Sequence, residues 1–142
     1  MTTETKIQQS LVKKIDEWFG WRYPGLMLNL VDSKKRPYKV SPLFAVPNEG
    51  KRGIRTAQRM KAEGLRSGVP DLVIPISNDK YNGLFIEMKK PKGVTSKNQK
   101  EWIRMLVLLG YNAIVCNSTE LARLAISEHM ETASYTDRTG AE

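Results

Sequence analysis

The stretch Leu84-Phe85-Ile86-Glu87-Met88-Lys89 sets two opposite charges inside an otherwise apolar run. A short apolar run bounded by turn residues is a strand. Side chains alternate across a strand, so Glu87 and Lys89 share one face, roughly 6–7 Å apart along it. Taking two ions into a central strand costs several kcal/mol for each. A fold that accepts this sequence must either leave that face wet on an edge strand or put the charges to use.

A third charge bears on the choice. Asp71-Leu72-Val73-Ile74-Pro75-Ile76 reads as another strand, joined to the first by the turn-rich segment from Ser77 to Gly83. If the two form an antiparallel hairpin, any register that sets Asp71 opposite an odd-numbered position brings it to the Glu87/Lys89 face. Pairing with 87 or 89 leaves the loop 76–82 or 77–83, and a slip by one residue throws the acid to the other side. Two carboxylates converging on one point repel unless a cation lies between them. Hard oxygen donors suit Mg²⁺ or Mn²⁺. With one histidine and one cysteine in the chain, a conventional zinc site is out of reach. The same shortage removes the Cys–His and Ser–His–Asp nucleophiles. Cys116 ends the apolar run Ala113-Ile114-Val115 and reads as a buried thiol, and His129 on the last helix reads as a surface residue. Gly50-Lys51-Arg52-Gly53 lacks the spacing of a phosphate loop. Metal-assisted hydrolysis is what remains, with no organic cofactor.

The charge distribution names a partner. The formal net charge is +8, and residues 34–66 carry all of it. There Lys34, Lys35, Arg36, Lys39, Lys51, Arg52, Arg55, Arg59, Lys61 and Arg66 face only Glu49 and Glu63, while elsewhere the two signs cancel. A positive field so concentrated is the footprint expected for a polyanion, DNA above all; a solvated, solubilising surface would carry the same composition.

The remaining elements follow from periodicity. Ile7, Leu11, Ile15 and Trp18 mark a helix over 4–19. Residues 20–41, with Gly20, Pro24, Gly25 and Pro37, read as irregular, with a short extended piece at 26–28. Leu43 to Val46 reads as a strand, residues 53–63 as a basic helix ended by Gly64, and residues 96–110 as a helix opened by the capping box Ser96-x-x-Gln99. Asn112 to Cys116 is a strand, and a last helix covers roughly 119–129. The order α-β-α-β-β-α-β-α describes one α/β domain over 1–129, a mixed sheet flanked by helices, followed by a polar tail at 130–142. No run approaches the ~20 apolar residues of a membrane helix, and Met1-Thr2-Thr3-Glu4-Thr5 lacks the features of a signal peptide. One cysteine precludes an internal disulfide and fits a reducing compartment. The expectation is a cytoplasmic protein with no membrane contact, in a bacterial or phage-encoded setting.

Pro70-Asp71 followed by Glu87-x-Lys89 resembles the PD-(D/E)XK nuclease signature, which is short. Its surroundings narrow the resemblance. Val46-Pro47-Asn48-Glu49-Gly50-Lys51-Arg52, then Gly64 through Gly68-Val69-Pro70-Asp71-Leu72, look like the run before the first catalytic acid of VRR-NUC domains. Ile86-Glu87-Met88-Lys89, Gly93, Ser96, Gln99, Trp102, Leu106 and Gly110-Tyr111 look like the rest of that pattern, over about residues 4–125. The resemblance implies a restriction-endonuclease-like core in which Asp71, Glu87 and the Met88 carbonyl hold the metal. Lys89 would orient or help deprotonate the attacking water. Glu4 would match an acid on the family's first helix, although an acid suits any first helical turn. Gln99 would match a helix glutamine near the active centre, although it also completes the capping box; it shares a stripe with Trp102, Ile103 and Leu106. Residues 20–41 fit the pattern poorly and read as an insertion or as a dimer or DNA contact.

The function expected is a Mg²⁺- or Mn²⁺-dependent endonuclease that hydrolyses DNA phosphodiester bonds and selects four-way junctions, flaps or other branched structures. Asn48, Lys51, Arg52, Arg55, Arg59, Lys61, Lys90 and Lys92 would hold the DNA. The alternative is a non-catalytic nucleic-acid-binding module on the same fold. Symmetric cutting of a junction calls for a homodimer. Trp21, Tyr23, Leu26, Met27 and Leu28 supply apolar material for the contact, or else simply cover the chain's own sheet.

Overall fold

The computed structural model describes residues 3–47 and 54–135. In chain order the elements are α1 (Thr3–Arg22), β1 (Leu28–Val31), β2 (Pro37–Val40), β3 (Phe44–Ala45), α2 (Ile54–Ala62), β4 (Leu72–Ile74), β5 (Leu84–Met88), α3 (Lys97–Leu108), β6 (Asn112–Cys116) and α4 (Thr119–Glu131). A mixed four-stranded sheet has the order β3-β4-β5-β6. Its first two pairings are antiparallel; β5 and β6 run parallel, with α3 as the crossover that parallel neighbours require.

One face of this sheet is the core. Leu84, Ile86 and Met88 alternate along β5 and pack with Leu72 and Ile74 of β4 and Cys116 of β6. Two helices close over them. α1 contributes Leu11, Ile15 and Phe19, one stripe at successive turns, and α4 contributes Ala122, Ile126 and Met130. Ser118 caps α4 by accepting from the Leu121 amide at 3.1 Å, and the Thr119 hydroxyl donates to the Ile7 carbonyl at 3.3 Å, fixing the two helices together. Leu106 of α3 and Ala113 of β6 are buried outside this cluster.

Four expectations need correction. Residues 20–41 are not irregular. α1 runs on to Arg22, one 3-10 turn follows at Pro24–Leu26, and β1 and β2 form an antiparallel hairpin with Leu28 opposite Val40 and Val31 opposite Pro37. The strand begun at Asp71 is shorter than expected: β4 covers only Leu72–Ile74, because Pro75 has no amide to give the ladder. His129 is no surface residue. It is 4% exposed, its Nε2–H donating to the Ile76 carbonyl at 2.5 Å and its Nδ1 accepting from Asn78 at 3.0 Å. The packed domain also continues past residue 129, since α4 ends at Glu131 with Met130 in the core, and Ser134 pairs with Ser77.

Asp71 reaches its place through a close approach. Gly68 has φ of +91°, and a Cβ there would stand 2.6 Å from the Asn98 carbonyl carbon, on the first turn of α3. Ser67 accepts from the Asn98 side chain at 3.0 Å. The segment that delivers Asp71 is thereby fastened to the helix that carries Gln99. Gly68→Ala should lower stability by about 1–3 kcal/mol, read as a drop in denaturant midpoint at unchanged slope, and a wild-type midpoint would show that the approach is not constraining.

Candidate active site

The alternation that buries Leu84, Ile86 and Met88 turns Phe85 and Glu87 to the other face of β5. Phe85 is closed off edge-on by Tyr111, ring centroids 5.4 Å apart. Leu72 lies opposite Ile86, Val73 opposite Phe85 and Ile74 opposite Leu84, so one further step along the same register sets Asp71 against Glu87. Asp71 is held from both sides: its carbonyl accepts from the Val46 amide at 2.8 Å and its Oδ2 from the Met88 amide at 2.9 Å. The Lys89 amide donates to the Cys116 carbonyl at 2.8 Å, carrying the β5–β6 ladder past Met88.

Glu87 is 3% exposed, and its Oε1 is buried without a hydrogen-bond partner. Lys89 Nζ stands 3.9 Å from Glu87 Oε2, with the lysine side chain 13% exposed. Burial, first, and then the Asp71 charge and a side-chain hydrogen bond with Asp71 push the Glu87 carboxyl up to about 8; Lys89 draws it down, and Glu4 adds to the rise. Glu4 comes from the first turn of α1, its Oε1 accepting from the Lys90 amide at 3.4 Å. Asp71, just before β4, and Glu4, on α1, thus both act on Glu87 of β5, with the Lys89 ammonium beside it.

Gln99 is in the capping box. Its amide N–H donates to Ser96 Oγ at 3.2 Å, and its Oε1 accepts from the Ser96 amide at 2.9 Å. The cap therefore takes the carbonyl end of the side chain. Gly93 has a role of its own: its amide donates to the Lys90 carbonyl at 2.9 Å, and a Cβ there would meet that carbonyl at 2.9 Å and Lys89 Cβ at 3.3 Å. The turn can close over the Lys89 stem only because residue 93 has no side chain. Lys90 and Lys92 are exposed on this turn.

The expected DNA-binding residues are only partly placed. Asn48, Lys51 and Arg52 lie outside the described residues, as does the side chain of Arg55, which belongs to α2. Arg59 and Lys61 are exposed on the same helix, with Arg59 Nε 3.8 Å from Glu63. Sequence reasoning had missed Asn98; a glycine two positions before Pro70 was the available signal that something packs closely there. A cavity of about 560 Å³ lies elsewhere, lined by Asn78, Tyr81, Asn112 and His129, and shares none of the three acids.

Hard oxygen donors with an orphaned, buried carboxylate oxygen are what a divalent cation fits. Among the described residues no three His, Cys, Asp or Glu side chains gather closely enough to hold a metal by themselves. Mg²⁺ does not need them, since it keeps several waters and takes one or two carboxylates.

The family model of the VRR-NUC domain matches residues 3–120. The chain belongs to the VRR-NUC family. A solved structure described as a VRR_NUC domain protein is 25% identical, with a TM-score of 0.69, over 96% of this chain and 95% of that one. Comparison with curated proteins gives no match. The mixed α/β architecture is that of the VRR-NUC fold, and a nuclease-type domain implies nucleic acid as its partner. No helix among the described residues is long and apolar enough to cross a membrane.

The raised Glu87 carboxyl has a stability consequence. Folding favours its protonated form, so its contribution is complete below the ordinary carboxylate range near 4.5 and is lost as the pH rises through about 8. The metal-free protein should therefore melt lower at pH 9 than at pH 5.5. In Glu87→Gln this part of the decline should vanish, so that the variant melts above wild type at pH 9, by roughly 3 °C per kcal/mol regained. Mg²⁺ should raise the wild-type melting temperature at pH 9 far more than at pH 5.5 and leave the variant unmoved. Parallel pH profiles for the two proteins would contradict the assignment.

Proposed function

We propose that this VRR-NUC domain is a Mg²⁺- or Mn²⁺-dependent endonuclease that hydrolyses DNA phosphodiester bonds at branched structures such as four-way junctions or flaps. The observation that carries the reading is the buried Glu87, its Oε1 unpartnered, beside Asp71 and 3.9 Å from Lys89. A protein that only bound a polyanion would gain nothing from acids placed there, since they repel phosphate.

Asp71 and Glu87 would hold the cation, with the Met88 carbonyl as a third donor. When bound, the cation supplies charge stabilisation at the phosphate and acidifies water. The protein's own groups do the positioning. The Met88 amide fixes one oxygen of Asp71 and so orients the carboxylate towards Glu87. Lys89, its stem packed under the Lys90–Gly93 turn, orients the attacking water and sets a positive charge beside it. Glu4 orders the start of that turn through the Lys90 amide. Gln99, with its carbonyl end in the cap, would turn its NH₂ end to the substrate. Arg59, Lys61, Lys90 and Lys92, with Asn48, Lys51, Arg52 and Arg55, would grip backbone phosphates, giving salt-sensitive and sequence-tolerant affinity.

Cutting both strands of a junction needs two sites, and a two-fold homodimer supplies them by repeating one patch. Of the apolar residues considered for that contact, Tyr23, Leu26 and Met27 pack against the chain's own core, while Trp21 is 79% exposed and Leu28 is also exposed. The contact would centre on those two.

Asp71→Asn, which keeps an acceptor for the Met88 amide, and Lys89→Ala should each reduce cleavage of labelled junction, flap and duplex DNA to background while melting cooperatively. Neither should weaken DNA binding in EDTA by more than about tenfold. Cleavage at the wild-type rate by either variant would end the catalytic assignment. Light scattering at micromolar concentration should give twice the chain mass, and Trp21→Glu should halve it. A monomer with and without junction DNA would leave nicking or flap trimming as the better description.

A further inference from the structure

We propose that the β1–β2 hairpin is a second DNA-binding arm, which grips the phosphates of the substrate's duplex away from the bond that is cut. The inference rests on the nuclease reading and extends it to a surface that the metal site does not include.

The hairpin stands clear of the core: every residue of β1 and all but Val40 of β2 are exposed. A two-stranded hairpin is marginal alone, and among the described residues the anchors of this one lie at its base. There Leu26 and Met27 pack against the core, and Ser41 donates to Asp16 of α1 through its amide at 2.9 Å and its hydroxyl at 2.6 Å. The tip, by contrast, is rigidly built. Asp32 accepts from the Lys34 amide at 2.8 Å, the Arg36 amide at 2.9 Å and the Arg36 guanidinium at 2.8 Å. These bonds hold its carboxyl below the usual carboxylate range, the Arg36 amide foremost.

One acid thus serves as the scaffold of the turn, and the lysines around it are unopposed. Among the described residues no carboxylate pairs with Lys34, Lys35 or Lys39, all three exposed. The backbone adds an independent sign. Lys35 has φ of +61°, where glycine or asparagine is favoured and a lysine is strained. The only other described non-glycine residue with positive φ is also a lysine, Lys92 at +65°, on the turn over the active site. In both turns a positive charge occupies a position where backbone preference argues for another residue.

The geometry sets the reach. Glu4 is at the active site and Asp16 holds the hairpin base, twelve residues further along one continuous helix. At 1.5 Å per residue that is roughly 18 Å, or about five base pairs of duplex before the tip is counted. The hairpin therefore suits a partner that is both polyanionic and long, and a continuous duplex arm is both.

The test is fluorescence anisotropy in EDTA on a labelled duplex of about 20 base pairs over a salt series. Lys35→Gly relieves the strained backbone while removing a charge. It should melt no lower than wild type, yet bind more weakly and flatten the log K against log salt slope by about 0.9. K34E/K35E should weaken binding at least about tenfold more than K13E/K80E, which makes the same charge reversal on α1 and in the loop before β5. An unchanged slope in Lys35→Gly, or K34E/K35E binding like K13E/K80E, overturns the arm while wild-type cleavage leaves the nuclease reading standing. A wild-type protein that neither binds nor cleaves any of these DNAs overturns both.

Discussion

The antiparallel register between β4 and β5 decides everything at the centre of this molecule. With Leu72 opposite Ile86, the even-numbered residues of β5 enter the core and Glu87 meets Asp71 on the other face. A shift by one residue would send Glu87 into the contact with α1 and α4 and turn Ile86 outward. That state buries a charge among Leu11, Ile15 and Ile126 with no partner there, at a cost of several kcal/mol. The core thus selects the register, and the register assembles the carboxylates. The repulsion between them is tolerated because the same strands bury enough apolar surface to hold it in place.

This coupling is why so much of the centre is legible in the sequence. Leu84-Phe85-Ile86-Glu87-Met88-Lys89 states its own alternation, and once Asp71 is granted a place on the neighbouring strand the converging acids follow from pleat geometry alone. Ser96 and Gln99 announce the start of α3 by a local rule and occupy the expected cap. The stripe Leu11, Ile15, with Ile7 beside it, finds its face of α1 in the same way, and the chain order of the main sheet's elements follows.

What the sequence hides depends on single side chains acting at long range. Residues 20–41 look irregular because the hairpin buries nothing that would impose a period, and because its turn is made by one acid, Asp32, among three basic residues. His129 looks exposed because its helix carries charged neighbours. Its burial depends on Asn78 and the Ile76 carbonyl, some fifty residues earlier. Asn78 is doubly unreadable. It accepts from the Lys80 and Tyr81 amides to make its own turn and gives its amino group to α4. Nothing local distinguishes it from the asparagine of any loop. Glu4 is intermediate: its helical turn is predictable, and its contact with Lys90 across the whole chain is not.

α1 connects these two kinds of information. Its buried stripe is needed for the core, which gives it a rigid path across the sheet, and its two halves are then free to carry different polar groups at fixed separation. Glu4 at one end reaches the turn after Glu87, and Asp16, three turns on, ties down the chain beyond β2. A helix held by Leu11, Ile15 and Phe19 cannot slide or rotate without opening the core, so the distance between the acids and the basic hairpin is as firmly set as the packing itself. A domain can measure a substrate by the distances that its own packing fixes. Here the measure would be the helix that the core already requires, and its length follows from the number of residues between two acidic side chains.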